Sequence, residues 1–162
     1  MIISSWNINS VRIRTEIIKN YLVKEKIDIL LLQEIKCQTD QFPSKFFNDL
    51  GYECYVSGQK SYNGVAIISK CKLNNIDIKS FIDPNNQSRF ISADIEIKKK
   101  SAKIICIYLP NGNPVGTEKY LYKKKWLNEF FSFIKKIIIK NKNLIIGGDF
   151  NVIPEDRDVD NP

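Results

Sequence analysis

Apolar residues along this chain come in short runs, and several of the runs end in an amide, a hydroxyl or a carboxylate. Residues 1–6 lead into Asn7, 27–32 into Gln33 and Glu34, 104–107 into Tyr108, and 144–148 into Asp149, Phe150 and Asn151. A continuous Ile/Leu/Val run of this length reads as a strand covered on both faces. Between the first two runs, Ile13, Ile17, Tyr21 and Leu22 follow helical spacing with Lys and Glu among them, which predicts a strand-helix-strand start. Residues 44–50 predict a short helix closed by Gly51. The segments 52–57, 65–69, 73–79, 89–97 and 103–109 then read as successive strands, so antiparallel pairing is expected among them. In 91–97 the apolar residues alternate, predicting one wet face, whereas 104–107 do not alternate and should be central. Lys98, Lys99 and Lys100 mark a solvated hairpin turn. A long helix is expected over 117–140, with Leu127, Phe130, Phe131, Ile134, Ile137 and Ile138 forming its buried stripe. The expected class is therefore α/β, of the mixed (α+β) kind.

A charged side chain at the end of a buried strand must be solvated, paired or bound to a cation. Taken singly, an Asp or Asn in that position commonly N-caps the next helix or makes an Asx-turn. Four such ends in one small domain point instead to convergence on an acidic cleft. Gly147 and Gly148 before Asp149 strengthen that expectation, because paired glycines let backbone approach a ligand closely.

Composition narrows the picture. With 162 residues, 43% of them hydrophobic, the chain can build one substantial core and not two. It carries 25 basic and 18 acidic residues, a net charge of +7, which favours polyanionic partners such as nucleic acid. Cys37, Cys54, Cys71 and Cys106 include no C-x-x-C pair, and the absence of histidine argues against a Cys/His zinc site. Free thiols in a reducing compartment are expected. No apolar run approaches the ~20 residues of a membrane span, nor is there a signal-peptide pattern, so a cytoplasmic protein without a membrane partner is expected. No phosphate-binding glycine motif follows a strand, which disfavours a nucleotide-binding domain.

The strand-end residues match the needs of phosphodiester hydrolysis. Magnesium is held by hard oxygens, typically one or two carboxylates with water and substrate phosphate completing the shell. Glu34 with a neighbouring amide such as Asn7 meets that need. Cleavage further requires a group that orients or deprotonates water and donors for the charge that builds on phosphate oxygens. Asp149, Asn151 and Tyr108 are groups of those types.

Five segments, in order along the chain, carry a family resemblance: Trp6-Asn7-Ile8-Asn9-Ser10-Val11-Arg12, Leu32-Gln33-Glu34-Ile35-Lys36, Gly58 to Ala66 through Tyr62-Asn63-Gly64, Tyr108-Leu109-Pro110-Asn111-Gly112, and Gly148-Asp149-Phe150-Asn151-Val152. Together they resemble the exonuclease III family of abasic-site endonucleases, within the endonuclease/exonuclease/phosphatase superfamily. The resemblance implies a magnesium-dependent DNA repair nuclease, with manganese as a possible substitute. It also implies a four-layer αββα sandwich of the DNase I-like type. It assigns Glu34 and Asn7 to the metal, Tyr108 to catalysis, and Asp149 and Asn151 to water activation, the scissile phosphate and the metal. Arg12, Lys36, Lys60, Tyr62 and Asn111 match positions that contact the DNA backbone. The implied partner is double-stranded DNA with abasic sites or 3′ ends, and a monomer is expected.

Family members continue with further strands, additional aspartates and a histidine. Residues 1–162 therefore read as the N-terminal portion of a single domain whose C-terminal part is missing, and the second sheet should show open edges. Glu155, Asp156, Asp158 and Asp160 form a polar tail. A superfamily phosphatase or sphingomyelinase would share Glu34 and the Asp149/Asn151 pair, and a non-catalytic DNA-binding fragment is a third reading. The Tyr62-Asn63-Gly64 and Pro110-Asn111-Gly112 loops favour the DNA-repair branch.

Overall fold

Two four-stranded sheets lie face to face in the computed structural model, which describes residues 1–141, 143–155 and 157. The first sheet holds β1 (Ile3–Asn7), β2 (Ile29–Gln33), β3 (Glu53–Ser57) and β4 (Val65–Ser69) in the order β1-β2-β4-β3. The second holds β5 (Asn74–Asp77), β6 (Phe90–Ile97), β7 (Lys100–Tyr108) and β8 (Leu144–Asp149) in sequential order. Helices α1 (Thr15–Lys24) and α2 (Ser44–Asn48) cover the outside of the first sheet, and α3 (Glu118–Lys140) covers the second. The αββα layering implied by the sequence resemblance is the architecture observed.

The continuous apolar runs follow from burial on both faces. In β2, Leu30 and Leu32 point toward α1 and α2, while Ile29 and Leu31 enter the core between the sheets. In β7, Ile104 and Cys106 face that same central core, and Ile105 and Ile107 face α3. β6 presents Ile91, Ala93 and Ile95 inward as its alternation predicts. Its other face is wet only at its far end, because Ser92 is buried and Asp94 receives Lys103 Nζ at 2.6 Å. Lys98 and Lys99, both at positive φ (48° and 63°), make the two-residue turn between β6 and β7. Since only two residues turn, β7 begins at Lys100 rather than at 103.

The helix faces differ from expectation. Ile13 is 75% exposed and Ile17 also faces solvent, whereas Ile18 and Leu22 are fully buried. On α3 the buried row is Trp126, Phe130 and Ile134, flanked by Tyr122, Leu127 and Phe133; Phe131, placed in the core by the sequence reading, is 60% exposed, and Ile138 is exposed as well. The physical reason is Phe81 from the second sheet's side of the core. Its ring centre lies 4.9 Å from Trp126, 5.4 Å from Phe130 and 5.6 Å from Phe133, so the helix turns its largest rings toward that contact.

β1 and β8 are both edge strands, and they lie against each other across the sandwich on the same side. All four cysteines carry free thiols. Among the described residues no helix is long and apolar enough to cross a membrane. Asp156, Asp158 and Asp160 of the polar tail lie outside the described residues.

These helix contacts separate two adjacent phenylalanines. Phe130→Ala should destabilise the fold by about 3–5 kcal/mol through loss of buried ring contacts, while Phe131→Ala should stay within about 0.5 kcal/mol of the parent. Urea denaturation of the two variants checks this, and equal losses would move the core stripe back to Phe131.

Candidate active site

Each sheet contributes one parallel strand pair, and both pairs end at the same place. In the first, Asn7 of β1 stands opposite Gln33 of β2; in the second, Tyr108 of β7 stands opposite Asp149 of β8. Immediately after β2 the backbone enters the left-handed region at Glu34 (φ 51°), an uncommon conformation for a residue with a side chain and one that clusters at functional sites. Neighbouring loops hold it there. Ser10 N–H donates to the Glu34 carbonyl at 2.7 Å, and Ile35 N–H donates to the Gly64 carbonyl at 3.2 Å.

Side chains from four strand ends then meet. Glu34 Oε1 accepts from Asn7 Nδ2 at 2.9 Å and from the Tyr108 hydroxyl at 2.7 Å. Glu34 Oε2 takes the Lys36 ammonium at 2.9 Å. Asn7 Nδ2 donates a second bond to Asp149 Oδ2 at 2.8 Å, and Asp149 Oδ1 accepts the Asn151 backbone N–H at 2.9 Å. Burial by itself pushes the Glu34 carboxyl up, but the bonds from Asn7, Tyr108 and Lys36 outweigh it and hold the group below the usual carboxylate range. The Tyr108 phenol moves the other way, to about 12, through burial first and then its bond to the Glu34 carboxylate. It is a neutral hydroxyl at ordinary pH.

The donor set suits a hard cation. Among the described residues no group of three or more His, Cys, Asp and Glu gathers. Glu34 nevertheless holds a cationic partner in Lys36, and magnesium needs only one or two carboxylates with water around it. Glu34 with Asn7 beside it fits that requirement.

The other residues expected at the site are distributed around this centre. Asn151 lies next to Asp149, but its side-chain amide donates to the Leu109 carbonyl at 2.7 Å and not into the cluster. Lys36, expected to meet DNA, is engaged with Glu34 and with Asn9 Oδ1 at 2.5 Å. Arg12 is exposed on the loop after β1, whose Ser10 and Val11 N–H groups bond to Glu34 and Ile35. Lys60 and Tyr62 are exposed on the β3–β4 loop, which reaches Lys36 through the Asn63 carbonyl. Asn111 is exposed on the loop after β7. None of these four touches the carboxylate cluster; they rim it.

Gly147 and Gly148 do something other than expected. A Cβ on Gly147 would strike Leu31 of the facing sheet, and one on Gly148 would strike the Ile107 carbonyl of the neighbouring strand. The glycines serve strand and sheet approach, which brings Asp149 to Asn7. Sequence reading also missed Arg89 and Lys123. Arg89 is buried, with its guanidinium 4.5 Å from the centre of the Tyr108 ring. Lys123 of α3 donates to the carbonyls of Asn111 (3.0 Å) and Asn151 (2.5 Å), tying together the two loops that flank the centre. Lys123 sits in a run of three lysines that looks like a solvated helix face, and no spacing marks Arg89, whose contact with Tyr108 joins positions 19 residues apart.

Comparison with known proteins agrees with this geometry. Residues 4–162 match the Endonuclease/Exonuclease/phosphatase family. Exodeoxyribonuclease III of Haemophilus influenzae is 32% identical over 158 residues, spanning 96% of this chain and 59% of the relative. The solved 3′-5′ exonuclease of Neisseria meningitidis superposes with a TM-score of 0.86 at 33% identity, covering 96% of this chain and 60% of that one. An AP endonuclease from Archaeoglobus fulgidus gives 0.85 at 33% identity with the same coverage, 96% and 60%. The chain thus spans about 60% of the length of these relatives. A match over almost every residue, on the same two-sheet scaffold, means that the chain belongs to the Endonuclease/Exonuclease/phosphatase family.

Proposed function

We propose that this site hydrolyses the phosphodiester backbone of double-stranded DNA at abasic positions and at 3′ ends, as a magnesium-dependent nuclease of the exonuclease III type, with manganese able to substitute. The observation that carries the reading is the single contact set in which Glu34 is held by Asn7, Tyr108 and Lys36 while Asn7 also holds Asp149. Names of the relatives, exodeoxyribonuclease III and DNA-(apurinic or apyrimidinic site) endonuclease, support the substrate. The formal charge of +7 supports a polyanionic partner. A cytoplasmic monomer is part of the same proposal.

Glu34 and Asn7 would hold the metal, which supplies Lewis-acid stabilisation of charge on the phosphate oxygens when bound. The chain's own groups do the rest. Asp149, fixed by the Asn7 amide and the Asn151 N–H, is the carboxylate placed to take a proton from the attacking water. Tyr108, a neutral phenol, acts as a hydrogen-bond donor that orients Glu34 and faces the phosphate oxygens; it is not a nucleophile. Arg12, Lys60, Tyr62 and Asn111 on the rim loops hold backbone phosphates on either side, contacts that position the duplex without reading its sequence. Lys36 neutralises Glu34 and reaches DNA only by leaving it.

The test is a labelled duplex carrying one abasic analogue, incubated with and without magnesium. Cleavage should require the metal, and Asp149→Asn should lower it roughly 10²–10⁴-fold. Glu34→Gln should weaken magnesium binding and abolish cleavage while circular dichroism stays unchanged, since it removes charge and little volume. Cleavage insensitive to chelator or to Glu34→Gln would sink the proposal, and binding without cleavage would favour the non-catalytic DNA-binding reading. Affinity for the duplex should also fall steeply with salt as rim cations release counterions.

A pH dependence follows from Glu34. Its folded pKa is depressed, so its contribution to stability is present above the unfolded value of about 4.3 and is lost as pH falls through the folded pKa. Between about pH 5 and pH 3, the melting temperature of the parent chain should drop more than that of Glu34→Gln. Parallel melting curves would contradict the assigned bonds.

A further inference from the structure

Behind Tyr108 lies a buried polar network that the reaction as described does not use. Arg89 is 8% exposed and Asp83 4% exposed, at the base of a surface cleft that Phe81 and Phe90 also line. Burying a cation is costly unless it is paired and hydrogen-bonded, and Arg89 has both kinds of partner. Its Nε lies 2.9 Å from Gln87 Oε1 and 3.8 Å from Asp83 Oδ2, and one terminal nitrogen donates to the Tyr108 carbonyl at 3.2 Å. The guanidinium carbon lies over the Tyr108 ring, 4.5 Å from its centre, a cation–π contact. Tyr108 N–H in turn donates to the Arg89 carbonyl at 2.9 Å.

The partners of Arg89 are themselves fixed. Asp83 Oδ2 accepts the Tyr122 hydroxyl of α3 at 2.6 Å, and Asp83 Oδ1 accepts the N–H groups of Asn85 (2.7 Å) and Gln87 (3.1 Å). Gln87 Oε1 also accepts Asn63 Nδ2 at 3.0 Å, from the loop that carries Lys60 and Tyr62. Arg89 is thus clamped from three elements, and the one functional side chain it touches is Tyr108.

We propose that Arg89 is a positioning residue for Tyr108: its guanidinium pins the ring face and the backbone carbonyl of Tyr108, so that the hydroxyl stays on Glu34. Gln87 and Asp83 hold the guanidinium over the ring, and Tyr122 holds Asp83. Without Arg89 the phenol keeps its bond to Glu34 and its packing against the central core, and loses the contact on the ring face that the guanidinium covers. This inference rests on the proposed roles of Tyr108 and Glu34.

Two measurements test it separately from that reading. The first is the order of the Tyr108 ring by NMR on chain labelled with ¹³C-tyrosine, the signal being assigned with Tyr108→Phe. Arg89→Met should leave the ring signal broadened or averaged while Tyr21 and Tyr52 keep theirs. Because Arg89→Met strands Asp83, the paired variant Arg89→Met/Asp83→Asn removes both buried charges and should show the same ring disorder on an intact fold. The second measurement is cleavage of the abasic duplex. kcat should fall roughly 10- to 100-fold with KM little changed, and Arg89→Met added to Tyr108→Phe should cause no further loss, as expected for residues acting as one unit. Arg89→Lys, which keeps the charge and not the plane, should recover only part of the rate. An unchanged Tyr108 ring in a folded variant, or losses that multiply in the double variant, would overturn the proposal. If the parent chain does not cleave DNA at all, the functional reading fails and the ring measurement still decides the role of Arg89.

Discussion

The side-chain amide of Asn7 carries two N–H donors on one nitrogen, and both point at carboxylates, Glu34 on the neighbouring strand and Asp149 on the opposite sheet. Two carboxylates this close repel each other unless donors lie between them. The Asn7 amide is that donor, and the constraint it sets is spatial: the ends of β1, β2 and β8 must meet within one side chain's reach although they belong to two separate sheets. The rest of the sandwich can be understood as what makes this meeting possible. Ile29, Leu31, Val65, Ile67, Ile91, Ala93 and Ile104 fill the space between the sheets and fix their separation. Gly147 lets β8 come against Leu31 without a Cβ in the way, and Gly148 does the same against Ile107.

A polar seam runs through that central core toward the site. Gln33, almost wholly buried, donates to the Leu31 carbonyl at 3.1 Å, to Cys106 Sγ at 3.3 Å and to Ser5 Oγ at 3.2 Å. Burial, eased slightly by that bond, pushes the Cys106 thiol to about 12, so it stays a neutral, inert group. Buried polar groups of this kind contribute little net stability when satisfied and cost much when they are not. Their effect is to penalise any slip of β2 against β7, since a shift by one residue would turn Gln33 away from its partners and its neighbours out of the core. Gln33 is therefore the internal counterpart of Glu34, one residue later: the first locks the strand, and the second uses the locked position.

What was legible in the sequence follows the same division. The runs of β2 and β7 were plain because strands buried on both faces tolerate almost nothing polar, and the residue that ends such a run stands out. Glu34, Asn7, Tyr108 and Asp149 could be picked on that basis and are found together. Helix faces were harder, because a chain rich in Ile, Phe and Lys offers more than one apolar stripe per helix. Only contact with Phe81 selects Trp126 and Phe130 over Phe131. The directions taken by Lys36 and by the Asn151 amide were not legible either, since each chooses among several nearby acceptors. Arg89 left no mark of this role: Asp83 and Gln87 lie near it in sequence, but Tyr108 and Tyr122 join the network only once β6, β7 and α3 have packed.

Within the site, orientation and neutralisation fall to different groups. Oε1 of Glu34 is held from the interior by two uncharged donors, Asn7 and Tyr108, which fix where the carboxylate points. Oε2 is met from the solvent side by Lys36, whose side chain is 32% exposed and whose long stem gives it freedom to leave. Uncharged donors buried in the scaffold lose little when the local charge changes, whereas a flexible exposed ammonium is readily exchanged for another cation. The carboxylate can therefore trade its counter-charge without losing its direction. The bonds from Asn7, Tyr108 and Lys36 together hold the Glu34 carboxyl below its usual range, against the burial that would raise it. In a chain of net charge +7, this acidic centre keeps a cation at its carboxylate, the Lys36 ammonium on Glu34.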